Sequence, residues 1–259
     1  MNILEKITAA AVERVAREKR GGLPPLTEVR PPFVFEQQLN KKGMSFICEV
    51  KKASPSKGVI AEEFPYLDIA KEYEKAGADA ISVLTEPQFF LGSDSYIVEI
   101  RKAVTIPVLR KDFIIDAFQI GQSARLGADA ILLICAILTT AQLSEFIAGA
   151  DELGLSCLVE AHDETELSAA LKAGARIIGV NNRNLKTFEV DTGNSIRLRK
   201  LVPGNVAFVS ESGIHTAGDV ELLRANGVNA VLIGEALMRA QDKTAELAIL
   251  RGDKSGDKT

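Results

Sequence analysis

Apolar residues in this chain gather into short, strand-length runs, and between the runs they recur every three or four positions among charged residues. Short apolar runs read as buried strands, and the three-to-four spacing reads as helices with one apolar face. A repeated glycine punctuates the alternation: Ala76-Gly77-Ala78-Asp79-Ala80, Leu126-Gly127-Ala128-Asp129-Ala130, Ala173-Gly174-Ala175-Arg176-Ile177 and Asn226-Gly227-Val228-Asn229-Ala230. These glycines lie 50, 47 and 53 residues apart (77 to 127, 127 to 174, 174 to 227). Each follows a helical pattern and precedes an apolar run, which predicts a helix C-cap leading into a strand. Between the copies, further strands are predicted at Phe46 to Lys51, Val108 to Lys111, Leu155 to Glu160 and Val206 to Ser210.

Four quarter units, each with two strands and two helices, give eight βα units. Strands alternating with helices favour a parallel sheet, and eight such units in about 200 residues make a (β/α)8 barrel, the TIM-barrel architecture. The alternative, an open doubly wound sheet, usually has a glycine-rich first turn, which this sequence lacks. Ahead of the repeat, Ile3, Ile7, Ala11 and Val15 recur at four-residue spacing among Glu, Lys and Arg, predicting an amphipathic N-terminal helix. Gly21-Gly22 ends it, and a stretch with Pro24, Pro25, Pro31 and Pro32 leads to the first strand. That helix is expected either to plug one barrel end or to form a lid over an active site. The expected organisation is one (β/α)8 domain over 1–251, with 1–45 as the capping helix and linker, and a flexible tail over 252–259.

The chain has 259 residues, 46% hydrophobic and 25% charged, and 31 basic against 35 acidic residues give a net charge of −4. This balance argues against a nucleic-acid or membrane-surface partner, and no apolar run approaches the ~18 residues of a membrane span. Met1-Asn2-Ile3-Leu4-Glu5-Lys6 does not start a secretory signal. Cys48, Cys135 and Cys157 sit in apolar runs without motif spacing, so they read as reduced, buried thiols of a cytoplasmic protein. Two lone histidines, His162 and His215, make no metal site and suit surface or supporting roles. With no Gly-x-Gly-x-x-Gly and no Walker loop, neither a nucleotide cofactor nor a metal is expected. Nothing in the pattern specifies an oligomeric state.

Candidate chemistry lies at the strand ends, where active-site groups of such barrels collect. In Phe46-Ile47-Cys48-Glu49-Val50-Lys51, the side chains of Ile47, Glu49 and Lys51 share one face of the strand. Burying those charges is tolerated only when they are partnered or working. Leu109, Lys111 and Phe113 share a face in the third strand, leaving Arg110 and Asp112 outward to pair among the helices. The fifth strand ends in Glu160. The sixth presents Asn181 inward if Gly179 is inward, with Arg183 beyond, and the seventh places Glu211 on the face of Val209. Five rims offering polar groups to one mouth point to an enzyme. Three carboxylates (Glu49, Glu160, Glu211) and two lysines (Lys51, Lys111) shift one another's proton affinities and suit proton transfer to and from carbon or carbonyl oxygen.

A phosphate end is also readable. Ser54-Pro55-Ser56-Lys57-Gly58 offers hydroxyls, a cation and a turn. Glu211-Ser212-Gly213-Ile214 and Leu232-Ile233-Gly234-Glu235-Ala236 add glycines after the seventh and eighth strands, where barrels bind phosphate on backbone N–H groups. The Glu235 side chain must turn away from a dianion, leaving its N–H to help.

These residues resemble the indole-3-glycerol phosphate synthase family over the whole length of the chain. Glu49-Val50-Lys51-Lys52-Ala53-Ser54-Pro55-Ser56 looks like the family signature. Leu84-Thr85-Glu86, Leu109-Arg110-Lys111-Asp112-Phe113, Leu158-Val159-Glu160, Gly179-Val180-Asn181-Asn182-Arg183, Ser210-Glu211-Ser212-Gly213 and Leu232-Ile233-Gly234-Glu235 match in order. The resemblance implies a cofactor-free carboxy-lyase of tryptophan biosynthesis. Such an enzyme converts 1-(2-carboxyphenylamino)-1-deoxyribulose 5-phosphate, an anionic sugar-phosphate, to indole-3-glycerol phosphate with loss of CO2 and water. The chemistry of that reaction calls for an acid at the ketose carbonyl, for which Lys111 is the choice, and for an acid and a base in dehydration, the two roles open to Lys51 and Glu160, with Glu49 holding Lys51 charged and oriented. Asn181 and Glu211 would position sugar hydroxyls, and Arg183 would either orient the substrate carboxylate or brace Glu160. Leu84, Phe90, Phe113 and Leu132 would form the aryl slot, with Ser54, Ser212, Gly213, Gly234 and Glu235 around the phosphate.

Rival readings are a related sugar-phosphate isomerase using a Cys and an Asp, a lyase using Lys51 or Lys111 as a Schiff-base nucleophile, and a non-catalytic sugar-phosphate-binding barrel.

Overall fold

The computed structural model describes residues 1–27, 31–184 and 187–253. Eight parallel strands close into one barrel: β1 (Ser45–Val50), β4 (Ala80–Leu84), β5 (Val108–Lys111), β6 (Ala130–Ile134), β7 (Ser156–Ala161), β8 (Ile177–Asn181), β9 (Ala207–Glu211) and β10 (Ala230–Ile233). They neighbour one another in chain order, and β10 closes the ring onto β1 through pairs from Ser45–Ala230 to Cys48–Ile233. The remaining strands, β2 (Ala53–Ser54) and β3 (Gly58–Val59), form a small antiparallel hairpin above β1. The helices that follow the barrel strands are α3 (Tyr66–Lys75), α4 (Asp94–Ala103), α5 (Ala117–Leu126), α6 (Thr140–Glu152), α7 (Glu164–Lys172), α8 (Gly193–Arg199), α9 (Ala217–Ala225), and after β10 the pair α10 (Glu235–Arg239) and α11 (Lys243–Arg251). This is the (β/α)8 barrel expected from the repeat. Among the described residues, no helix is long and apolar enough to cross a membrane.

Gly77, Gly127, Gly174 and Gly227 all have positive φ, from 76° to 90°, at helix ends. A left-handed residue there turns the chain out of the helix and toward the next strand, and glycine adopts it without steric penalty. Asp79, two residues beyond the first of these, accepts the Phe46 N–H and so ties the entry of β4 to β1.

Strand parity sorts side chains into two cores. Phe46, Cys48, Val50, Ile81, Val83, Ile131, Leu133, Val159, Ile178 and Phe208 face the helices. Ile47, Ala80, Leu109, Ala130, Leu132, Leu158, Ile177, Val209 and Leu232 fill the barrel interior.

The N-terminal helix α1 (Ile3–Gly21) opens with a capping box at Asn2 and ends at Gly22, as its spacing predicts. An additional helix, α2 (Val34–Leu39), follows the proline-rich stretch and inserts Phe35 and Leu39 into the base of the barrel interior. Its six residues are too few for a periodic signal, so the linker reading had passed over it. At the other end, Gly252 caps α11, and residues 254–259 of the expected tail lie outside the described residues. Cys48 and Cys157 are buried in strands, whereas Cys135 lies half-buried just beyond β6.

Candidate active site

The interior parity carries the chemistry to the top of the barrel. Two residues beyond inward Ile47, Leu109, Leu158, Ile177, Val209 and Leu232 stand Glu49, Lys111, Glu160, Gly179, Glu211 and Gly234. One more inward step adds Lys51 and Asn181. A cleft of about 170 Å³ opens over this layer. Glu49, Lys51, Ser54, Leu84, Phe90, Lys111, Phe113, Leu132, Glu160, Asn181, Arg183, Ser212, Gly213, Gly234 and Glu235 line it. Glu211 does not. It is buried, 1% exposed, and accepts from Lys111.

Glu49 is the hub of the floor. Its Oε1 accepts from Lys51 Nζ at 2.5 Å and its Oε2 from Lys111 Nζ at 3.0 Å, while Lys111 also donates to Glu211 Oε2 at 3.2 Å. Burial disfavours the Glu49 charge, but Lys111 and Lys51 outweigh it and hold the carboxyl at about 2. Burial likewise opposes the Lys111 charge, and Glu49, Glu211 and Glu160 overcome it, pushing the ammonium well above the ordinary lysine range. Glu211 goes the other way. Burial, only partly offset by Lys111 and reinforced by Glu160 and Glu49, raises it to about 7. Its Oε1 finds no hydrogen-bond partner among the described residues. A Cβ on Gly179 would stand 2.2 Å from that oxygen, so the glycine makes room for the carboxylate.

Across the cleft, Asn181 Nδ2 donates to Glu160 Oε2 at 3.3 Å, and Asn181 Oδ1 accepts the Arg183 N–H at 3.0 Å. The Arg183 guanidinium donates to the Phe188 carbonyl at 3.3 Å, so asparagine, not arginine, is the group seen bracing Glu160. Phe90 and Phe113 approach with ring centroids 6.1 Å apart, and Leu84 and Leu132 complete an apolar wall.

The opposite end of the cleft is polar. Ser212 and Gly213 both take positive φ, 67° and 78°, and a Cβ on Gly213 would meet Val190 Cγ1 at 2.3 Å. Asn182 is buried outside the barrel, where its Nδ2 donates to Ser210 Oγ and to the Ser212 carbonyl, both at 3.0 Å, and fixes that turn. On the rim, Lys57 Nζ lies 3.4 Å from Glu235 Oε1.

Further residues surround the cleft, and the sequence reading named their faces without their partners. Ile3, Leu4 and Ile7 of α1 and Phe188 line the cleft, although each has the apolar signature of packing alone. Outward Arg110 and Asp112, flanking Lys111, join a buried network with Arg14 of α1 and Asp94. Arg14 Nη2 donates to Asp112 Oδ1 at 2.7 Å, and Arg110 Nη2 donates to Asp94 Oδ1 at 2.7 Å. His215 stands exposed at the mouth, whereas His162 is half-buried against Glu160.

The family model described as Indole-3-glycerol phosphate synthase matches residues 4–250. The chain belongs to the indole-3-glycerol phosphate synthase family. Among similar proteins of that name, one from Ruminiclostridium cellulolyticum is 65% identical over 223 residues, covering 86% of each chain. Another, from Endomicrobium trichonymphae, is 57% identical over 256 residues, 96% of this chain and 99% of that one. Among solved structures, 3-hexulose-6-phosphate synthase from Salmonella typhimurium superposes with a TM-score of 0.66 at 16% identity, over 81% of this chain and 97% of that one. Thiamine phosphate pyrophosphorylase from Pyrococcus furiosus does so with 0.62 at 15%, over 84% and 96%. At such identities the likeness shows the shared barrel alone. The segment Glu49 to Ser56 runs from the end of β1 into the start of the β2–β3 hairpin, the part of this barrel that carries the hub carboxylate.

Proposed function

We infer that the chain closes the indole ring in tryptophan biosynthesis, as a carboxy-lyase acting on 1-(2-carboxyphenylamino)-1-deoxyribulose 5-phosphate. The observation that carries the mechanism is Lys111, an ammonium pinned between Glu49 and Glu211 on the cleft floor. The ring carbon bearing the carboxylate attacks the ketose carbonyl carbon, and the carbonyl electron pair moves to oxygen. Lys111 stabilises that oxygen and gives it a proton. Because Glu49 and Glu211 strengthen its hold on protons, transfer follows charge development instead of preceding it. The attacking ring is cationic at this stage, beside the carboxylates of Glu49 and Glu160. Loss of CO2 returns the bonding pair to the ring and restores aromaticity.

Dehydration then needs an acid at the new hydroxyl and a base at the adjacent carbon. Lys51, held by Glu49, protonates the departing hydroxyl; Glu160, aimed by Asn181, takes the carbon-bound proton. Water leaves and the ring double bond forms. Phe90, Phe113, Leu84 and Leu132 accept the aryl ring, and Arg183 meets the substrate carboxylate. The phosphate lies on the Ser212–Gly213 turn and the Gly234–Glu235 backbone, with Ser54 opposite. The N-terminal helix belongs to this single domain as the roof of the cleft, through Ile3, Leu4 and Ile7.

The rivals fit less well. A Schiff-base nucleophile must be a neutral amine, whereas Lys111 is buried among carboxylates that keep it charged. A cysteine acid–base pair finds no candidate on β1, where Cys48 faces the helices and burial pushes its thiol up.

The test is indole fluorescence on adding the carboxyphenylamino-deoxyribulose phosphate. Saturable turnover is expected, and Lys111→Ala should lower kcat by at least ~10²-fold, the scale of losing a general acid. Near-normal turnover in that variant would remove Lys111 from the mechanism.

A further inference from the structure

His162 follows β7 two residues after Glu160 and is half-buried behind it, with 16% of its side chain exposed. Its ring Nδ1 is 3.0 Å from Glu166 Oε2, and the same oxygen accepts the His162 backbone N–H at 2.8 Å. Its ring Nε2 lies 3.5 Å from Glu160 Oε1 and makes no hydrogen bond among the described residues. The other Glu160 oxygen, Oε2, is taken by Asn181. The backbone is fixed as well, since Asn194 of α8 donates to the His162 carbonyl at 3.0 Å.

This geometry sets the ring's protonation. Glu166 Oε2 is an acceptor, so Nδ1 carries hydrogen. If Nε2 were bare, its lone pair would face the lone pairs of a carboxylate in a buried setting, an arrangement costly to both groups. Protonating Nε2 converts that repulsion to attraction. The charged groups acting most on the ring are the carboxyl groups of Glu160 of β7, Glu166 of α7 and Glu211 of β9, while Glu160 itself also faces the Lys111 ammonium of β5. Burial opposes the imidazolium, but these groups prevail and raise it to about 9. The half-buried Cys135, beyond β6, lies near Glu166 and Glu160 and adds no cation.

We propose that His162 is a positioning residue for the reaction: anchored by Glu166, its imidazolium keeps Glu160 ionised and aimed into the cleft, ready to take the proton lost in dehydration. The proposal rests on the reading of Glu160 as the base. The chain Glu166–His162–Glu160–Asn181 then sets both the charge and the direction of the catalytic carboxylate. His162 itself touches no substrate.

Two readouts test it. The first is the acidic limb of the kcat–pH profile in the wild type, His162→Asn and Glu166→Gln. Losing a neighbouring positive charge disfavours the carboxylate form. His162→Asn should therefore move the limb to higher pH, and Glu166→Gln should move it the same way by less. The second is the titration of the Glu160 side-chain carboxyl by carbon-13 NMR, compared between the wild type and both variants by difference with Glu160→Gln. It should shift in step with the limb. A uniform loss of kcat with an unmoved limb would make His162 a packing residue and overturn the proposal. If the carboxyl titration moves while the limb stays, His162 charges Glu160 but Glu160 is not the base; near-normal turnover in Glu160→Gln would say the same. Should His162→Asn fail to fold, the half-exposed Glu166 variant still decides the matter.

Discussion

Lys51 and Lys111 are held by opposite oxygens of one carboxylate, Glu49, at 2.5 and 3.0 Å. The two acids assigned to successive steps therefore share one orienting group. In Glu49→Gln, the amide nitrogen would point a donor at one ammonium, and that lysine would be driven off. The expected result is a kcat fall of at least ~10²-fold, comparable to losing a general acid outright, with a smaller change in KM. Steady-state indole fluorescence measures it, and a fall under tenfold would mean that the lysines are oriented without Glu49.

Glu211 makes a stability prediction with a sign opposite to the usual carboxylate. Its folded-state value of about 7 lies above the ordinary value of about 4.3, because burial outweighs the attraction of Lys111. Between those two values the folded chain binds more protons than the unfolded one, so this group makes stability fall as pH rises from about 4 to about 7. Below that window no penalty exists; above it the penalty is constant. Glu211→Gln should remove this slope and stabilise the fold at pH 8 while lowering kcat, since Lys111 loses one of its two anions. Urea midpoints across pH test this, and a variant with the wild-type slope would assign the slope to another group.

Much of this arrangement is local and was readable from the chain. The positive-φ glycines at 77, 127, 174 and 227 mark where helices turn into strands because only the residue type matters there. Glu49 and Lys111 could be placed inward because side-chain direction in a strand depends only on parity with Ile47 and Leu109. The outward Arg110 and Asp112 followed from the same parity, but their partners did not. Arg14 and Asp112 meet across 98 residues of chain, a separation at which periodicity names a face and not a neighbour. Leu4 and Ile7 pose the same difficulty. An apolar side chain on an amphipathic helix looks identical whether it covers a core or a substrate. The His162–Glu160 pairing had a local sign, two residues apart at a strand end, yet the strand's turn into α7 decides that the ring folds back.

Breaking the contact between Arg14 and Asp112 tests whether α1 is a roof that contributes to binding or a simple plug. Both side chains are buried, with 9% and 0% exposure, and removing one partner of such a pair costs about 3 kcal/mol or more. Asp112 keeps Arg110 and Thr85, so the barrel should survive Arg14→Leu while α1 loosens. Amide exchange over 3–21 should speed up ahead of global unfolding. Because Ile3, Leu4 and Ile7 line the cleft, KM should rise in parallel. Faster exchange with an unchanged KM would make the helix a plug and no more.

Asn182 offers the cleanest separation of binding from chemistry. It points away from the cleft, yet its amide holds the Ser212 carbonyl at 3.0 Å and its Oδ1 accepts from both the N–H and the hydroxyl of Ser195. Ser212 is a non-glycine residue at φ 67°, a conformation that persists only where its surroundings enforce it. With Asn182→Ala that restraint is lost, and the Ser212–Gly213 turn should relax toward more ordinary backbone angles. One hydrogen bond of about 1 to 1.5 kcal/mol corresponds to roughly a tenfold change in affinity. The expected outcome is a KM raised by about that factor with kcat within about threefold of wild type, because none of Lys51, Lys111 or Glu160 touches this turn. Inorganic phosphate as a competitive inhibitor should weaken by a similar factor. A variant with an unchanged KM and an unchanged phosphate inhibition constant would move the phosphate off this turn and onto the Gly234 side of the mouth.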